Sequence, residues 1–111
     1  MAKQKPADRI RVIVKNPGEA PEEREVPNTL EALQALVGGY IEAVPLARDA
    51  VILVNEEGKL RGMAPNVMYF DEVLVGPVVL VGVRGEEFVD VPPAAMIMAR
   101  SRLFREVTPD A

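Results

Sequence analysis

Asn28-Thr29-Leu30-Glu31-Ala32-Leu33-Gln34-Ala35-Leu36-Val37-Gly38-Gly39-Tyr40-Ile41-Glu42 reads as one helix, its stop and the opening of a strand. Leu30, Leu33, Leu36 and Val37 share one face at helical spacing. Asn28 can cap the first turn with Glu31 three residues on, and Thr29 is an alternative cap. Gly38 stands where a left-handed residue closes a helix. The second glycine, Gly39, exceeds what a stop requires.

Working outward, the flanks are β-type. Arg9 to Lys15 alternates, with Ile10, Val12 and Val14 on one side and Arg9, Arg11 and Lys15 on a wet face. Ile13 interrupts that wet face and hints at partial cover. Asn16-Pro17-Gly18 is a turn, and Arg24 to Val26 pairs back as an edge strand ended by Pro27. Glu22, Glu23 and Glu25 make that edge charged and soluble.

Tyr40 to Leu46 is a second strand, and Ala50 to Val54 a third, apolar on both faces and therefore central. Asn55-Glu56-Glu57-Gly58 is a hairpin turn, with Lys59 to Met63 running back as a short strand. Ala64-Pro65-Asn66 reads as a loop and Asn66 to Asp71 as one helical turn. Val73 to Val83 is the longest β-type run, with a bulge or bend at Gly76-Pro77. Phe88 to Val91 is a short extended piece. Pro92 and Pro93 open a final helix with Ala95, Met96, Ala99 and Leu103 on one stripe and Arg100, Arg102 and Arg105 near its end. The expected fold is α+β, a mostly antiparallel sheet of about four to six strands with one main helix packed on it and a second, C-terminal helix. Residues 1–8 are expected to be a disordered lead-in, and residues 9–111 a single domain.

Composition narrows the function. The 111 residues are 49% hydrophobic and 27% charged, which supports a packed core. Net charge is −4, so nucleic acid is not an expected partner, since that needs a basic face. Cysteine and histidine are both absent, which excludes thiolate chemistry, His/Cys metal sites and the usual nucleophile–base pairs. No cofactor and no metal are expected. Met1 to Arg9 carries no apolar h-region and no apolar run is long enough to span a bilayer, so the expected location is cytoplasmic, without a membrane partner.

Four places carry candidate binding chemistry. At Gly38, Gly39, Tyr40 and Glu42, paired glycines let a backbone approach a ligand, the tyrosine offers a flat face, and the glutamate accepts from a hydroxyl or amino group. The same residues are equally a helix cap followed by a solvated strand. They are not a dinucleotide fingerprint, because here the glycines follow the helix. Asn55, Glu56, Glu57 and Lys59 are a cation-holding or, more simply, a solvated hairpin turn, with Lys59 and Arg61 able to meet an anion. Asn66 and Tyr69 could read an amide edge and stack on a ring, or plug the core. Gly76-Pro77 bends a strand, beside a site or merely in a sheet. Met63, Met96 and Met98 are gap-filling core.

These residues resemble a known family. The stretch from Asn28 to Glu42, then Asn55-Glu56-Glu57-Gly58-Lys59-Leu60 with Gly62 and Pro65-Asn66, then Val75-Gly76, are similar to the three motifs of the small phage- and plasmid-associated family called domain of unknown function 3846. The resemblance spans about Ile10 to Gly82, and the segment beyond Phe88 departs from it. The family name assigns no chemistry. Its setting implies a mobile-element accessory protein, and small phage domains of that kind include proteins that sequester nucleotide immune signals. The leading expectation is therefore a non-catalytic homo-oligomer trapping a small anionic nucleotide-like ligand, such as a cyclic ADP-ribose or cyclic nucleotide, through Gly38, Gly39, Tyr40, Glu42, Asn55, Lys59, Arg61, Asn66 and Tyr69. The alternatives are a protein-interaction module inhibiting a host defence factor, and a Mg²⁺-dependent phosphodiesterase using Glu42, Glu56, Glu57 or Asp71. Those carboxylates converge in no recognisable motif.

Overall fold

The structure is a computed structural model that describes residues 8–101 and 104–107. Its elements in chain order are β1 (Arg9–Lys15), β2 (Glu22–Pro27), α1 (Leu30–Val37), β3 (Ile41–Ala47), β4 (Ala50–Asn55), β5 (Pro65–Tyr69), β6 (Glu72–Val75), β7 (Val78–Arg84), β8 (Glu87–Val89), α2 (Pro93–Ala99) and β9 (Phe104–Glu106). Six strands form one sheet in the order β2-β1-β7-β4-β3, with β8 also paired to β7. Three more form a second sheet, β6-β5-β9. The pairings within both sheets are antiparallel. The fold is α+β, as expected, with a second sheet that the expectation did not contain.

The alternation along each strand sends side chains to two different cores. Ile10, Val12, Val14, Leu53, Val79 and Val81 face α1, whose Leu33 and Val37 close that side. Ile13, Ile52, Val54, Val78 and Leu80 point the other way, against Val67 and Leu74 of the small sheet, Ala95 and Ala99 of α2, and Phe104. The large sheet is thus covered on both faces. Ile13 is buried where the alternation predicts water, because the small sheet covers that face of β1.

Helix α1 starts at Leu30, capped by Thr29, whose hydroxyl accepts from the Ala32 amide at 3.1 Å. Asn28, the other candidate cap, instead donates its side-chain amide to the Phe88 carbonyl. Leu30 is exposed, outside the buried stripe. β2 is an edge strand, longer than expected, and β4 lies inside the sheet.

Four expectations are corrected. Lys59 to Met63 forms no strand, because residues 56–62 turn against the end of α1. Pro65 and Asn66 are not a loop, nor residues 66–71 a helical turn; Pro65–Tyr69 is β5, the middle strand of the small sheet, with Pro65 at its first position and a bulge before Val67. The run from Val73 to Val83 is two strands in two sheets, separated at Gly76-Pro77. There Gly76 has φ 72°, and a Cβ would stand 2.6 Å from the Met63 Sδ. Finally, Lys15 is buried beneath the small sheet and not on a wet face. Helix α2 ends at Ala99 and Arg105 lies on β9, while Arg102, Leu103 and most of the proposed lead-in fall outside the described residues.

Candidate functional site

The end of α1 and the turn after β4 are built into one another. Gly38 adopts φ 82°, and the amides of Gly38 and Gly39 both donate to the Gln34 carbonyl, at 2.8 and 3.1 Å. The side-chain amide of Asn55 donates to the Val37 carbonyl at 3.1 Å, and Arg61 Nη1 to the Gly38 carbonyl at 3.0 Å. These bonds satisfy carbonyls that a helix end otherwise leaves open, and they set a cation against the negative end of the helix dipole. Asn55 Oδ1 in turn accepts from the Glu57 amide at 2.8 Å, and the Tyr40 carbonyl from the Glu56 amide at 2.8 Å.

Gly39 has no Cβ for a local reason. One placed there would stand 2.9 Å from Asn55 Nδ2 and 3.3 Å from Arg61 Nη1. The close approach that the second glycine permits is made, in this structure, by the protein's own side chains. Gly38 is likewise a cap.

Beside this junction lies an open depression of about 420 Å³, lined by Gln34, Gly39, Tyr40, Glu57 and Arg61. Its volume falls in the range of small-molecule sites. Tyr40 is 68% exposed, so its ring contributes little to the core. Arg61 makes no ion pair among the described residues. One of its five N–H donors is directed to the Gly38 carbonyl.

Glu42 and Lys59 belong to a different place. They line a smaller cleft of about 150 Å³ together with Asn55, Glu56, Leu60 and Glu72, over a floor that includes Val44, Val54 and Leu74. Lys59 crosses it to Glu72 at 3.2 Å, an exposed pair of small energetic weight. Among the described residues no group of three or more carboxylates is placed to hold a metal.

Asn66 and Tyr69 are drawn into the scaffold. Asn66 is fully buried, and its amide donates to the carbonyls of Lys15 at 2.7 Å and Gly76 at 2.8 Å, while its Oδ1 accepts from Lys15 Nζ at 3.0 Å. Lys15 Nζ also meets the Asn16 carbonyl at 3.0 Å and Glu106 at 3.4 Å. Asn66 thus staples β1, β5 and the strand break, with its side chain closed off from the surface. The Tyr69 hydroxyl donates to the Pro45 carbonyl at 2.9 Å, and its ring meets Phe70 and Phe104 edge-on, with centroids 4.7 and 6.1 Å away. Burial pushes its phenol above the usual value.

Of the nine expected site residues, the depression gathers Gly39, Tyr40 and Arg61, with Gly38 and Asn55 shaping its wall. Gln34 and Glu57 also line it. Gln34 was legible as the residue one helical turn before Gly38. Glu57 was weighed only as a cation ligand, because the sequence does not show how the turn folds back. The Lys15–Asn66–Glu106 network gave no signal, since a lysine ending an alternating strand reads as solvated.

The family described as "Domain of unknown function (DUF3846)" matches residues 10–103, and the chain belongs to it. Comparison with curated proteins and with solved structures finds no match.

Proposed function

We propose that this DUF3846 chain binds a nucleotide-derived small molecule in the depression at the end of α1 and sequesters it without breaking a bond. The observation that carries the reading is Tyr40: an aromatic ring 68% exposed on the rim of a concave surface, next to Arg61. A tyrosine ring exposed on such a rim offers a flat face on which a base can stack. A base stacks on Tyr40, its amino and ring groups face Gln34 and Glu57, and a phosphate meets the free side of the Arg61 guanidinium. Nothing in this arrangement requires a nucleophile or a base. In the mobile-element setting implied by the family resemblance, the ligand is a host immune signal such as a cyclic nucleotide or a cyclic ADP-ribose, and the protein is an anti-defence sponge in the host cytoplasm, working as a homo-oligomer.

Thermal-shift measurements with cyclic nucleotides and cyclic ADP-ribose variants test this. A ligand present at a hundred times its dissociation constant stabilises the fold by ~2.7 kcal/mol. Mass spectrometry after denaturing the complex should return the ligand intact. Absence of any shift across the panel would overturn the reading, and an altered product would point to an enzyme.

A protein-interaction module is the second reading. Leu60, 90% exposed at the tip of the 56–62 turn, and the free edge of β3 favour it. In that case a host protein, and no small molecule, protects the fold.

A further inference from the structure

The charges around the depression specify more than a nucleotide. Among the described residues Arg61 is the one cation on its wall and Glu57 the one carboxylate, so that lining is formally neutral. Behind it stands the carbonyl end of α1, the negative pole of the helix. Part of the Arg61 guanidinium is already engaged there, through the 3.0 Å bond to the Gly38 carbonyl. The chain as a whole carries a net charge of −4. A ligand with one phosphodiester charge finds its partner in Arg61. Each further phosphate would be set against Glu57, the helix carbonyls and the field of the whole chain.

We infer, resting on the reading above, that the site selects nucleotides by charge. It takes a cyclic nucleoside monophosphate, with a single negative charge, and rejects linear polyphosphates that share the same base. Glu57 is the specificity-determining residue. It accepts from the base and repels additional phosphates. Its side chain is free to be changed, because the bond that holds the turn to Asn55 is made by its backbone amide.

Isothermal titration calorimetry at about 0.15 M salt, without Mg²⁺, tests this with four probes: adenosine, 3′,5′-cyclic AMP, AMP and ATP. At that ionic strength charges within about 8 Å still act. Cyclic AMP should bind at least tenfold more tightly than ATP, with AMP between them and adenosine weaker than cyclic AMP. In Glu57→Gln the gap between cyclic AMP and ATP should shrink at least threefold while Tm stays within a degree or two. ATP binding as tightly as cyclic AMP, or an unchanged gap in Glu57→Gln, would overturn charge selection and leave the nucleotide site standing. No binding by any of the four would also overturn charge selection, while the site itself stands or falls on the wider thermal-shift panel.

Discussion

Asn55 and Asn66 are both buried, both hydrogen-bonded at Oδ1 and at Nδ2 and both engaged with backbone carbonyls, yet they do opposite work. Asn55 ties the last turn of α1 to a surface turn, and an open depression lies just beyond it. Asn66 has interior on every side. It joins two sheets and holds a buried ammonium group. A buried amide is costly to leave unpaired in either place. What differs is the neighbourhood: at one asparagine the satisfied bonds shape a surface, and at the other they hold the layers together. The proposed binding chemistry and the stability of the fold thereby rest on separate regions.

The contrast can be broken at its stable end first. Asn66→Leu removes three hydrogen bonds and strips Lys15 of a partner in the interior. A loss of about 3 kcal/mol or more is expected, read as a lower urea midpoint at constant m-value. Gly76→Ala should cost about 2 kcal/mol, from its φ of 72° and the Met63 Sδ at 2.6 Å. A Met63→Ala background relieves the steric part and leaves about 1 kcal/mol of backbone strain. Asn55→Ala is expected to cost about 1.5 kcal/mol, less than at Asn66 because water reaches the exposed turn. It should also weaken binding of the proposed ligand; equal stability losses at the two asparagines would erase the difference between them.

Tyr69→Phe probes the seam between the small sheet and β3. Loss of the bond to Pro45 should cost about 1 kcal/mol at neutral pH. The phenol's folded value lies above its unfolded value of about 10, so its contribution is complete below pH 10 and falls as pH rises through the folded value. Alkaline unfolding curves should therefore be flatter in Tyr69→Phe. The smallest effect on stability, under about 0.5 kcal/mol, belongs to Tyr40→Ala, with its exposed ring. The same substitution should abolish the ligand-induced shift. An equal loss of stability and binding would reduce Tyr40 to scaffold.

The local devices were readable from residues alone. Helix α1 announced itself through Leu33, Val37 and its Gly38 stop, β2 through its charged edge, and the strand break through Gly76-Pro77. Period-two alternation told which side chains share a face, and Ile13 even hinted that the second face was covered. It could not tell what covered it. In the covering sheet β5 begins with Pro65 and β9 follows a helix closely, and Asn66 within β5 looks like a loop residue until its three hydrogen bonds to Lys15 and Gly76 are in place. The site was half legible for the same reason. Tyr40 and Arg61 could be named as residues with recognition chemistry, but their meeting depends on the path of residues 56–62, which their sequence wrote as a simple hairpin.

The order β2-β1-β7-β4-β3 has a kinetic corollary. During synthesis the β1–β2 and β3–β4 hairpins emerge early, but the strand that must lie between them is made only at residues 78–84. Ile13 finds Leu80, and Ile52 finds that same Leu80, only after most of the chain has left the ribosome. Such long-range closure is slow and cooperative. The two hairpins of the large sheet are thus joined only through β7, and neither touches the other until that strand lies between them.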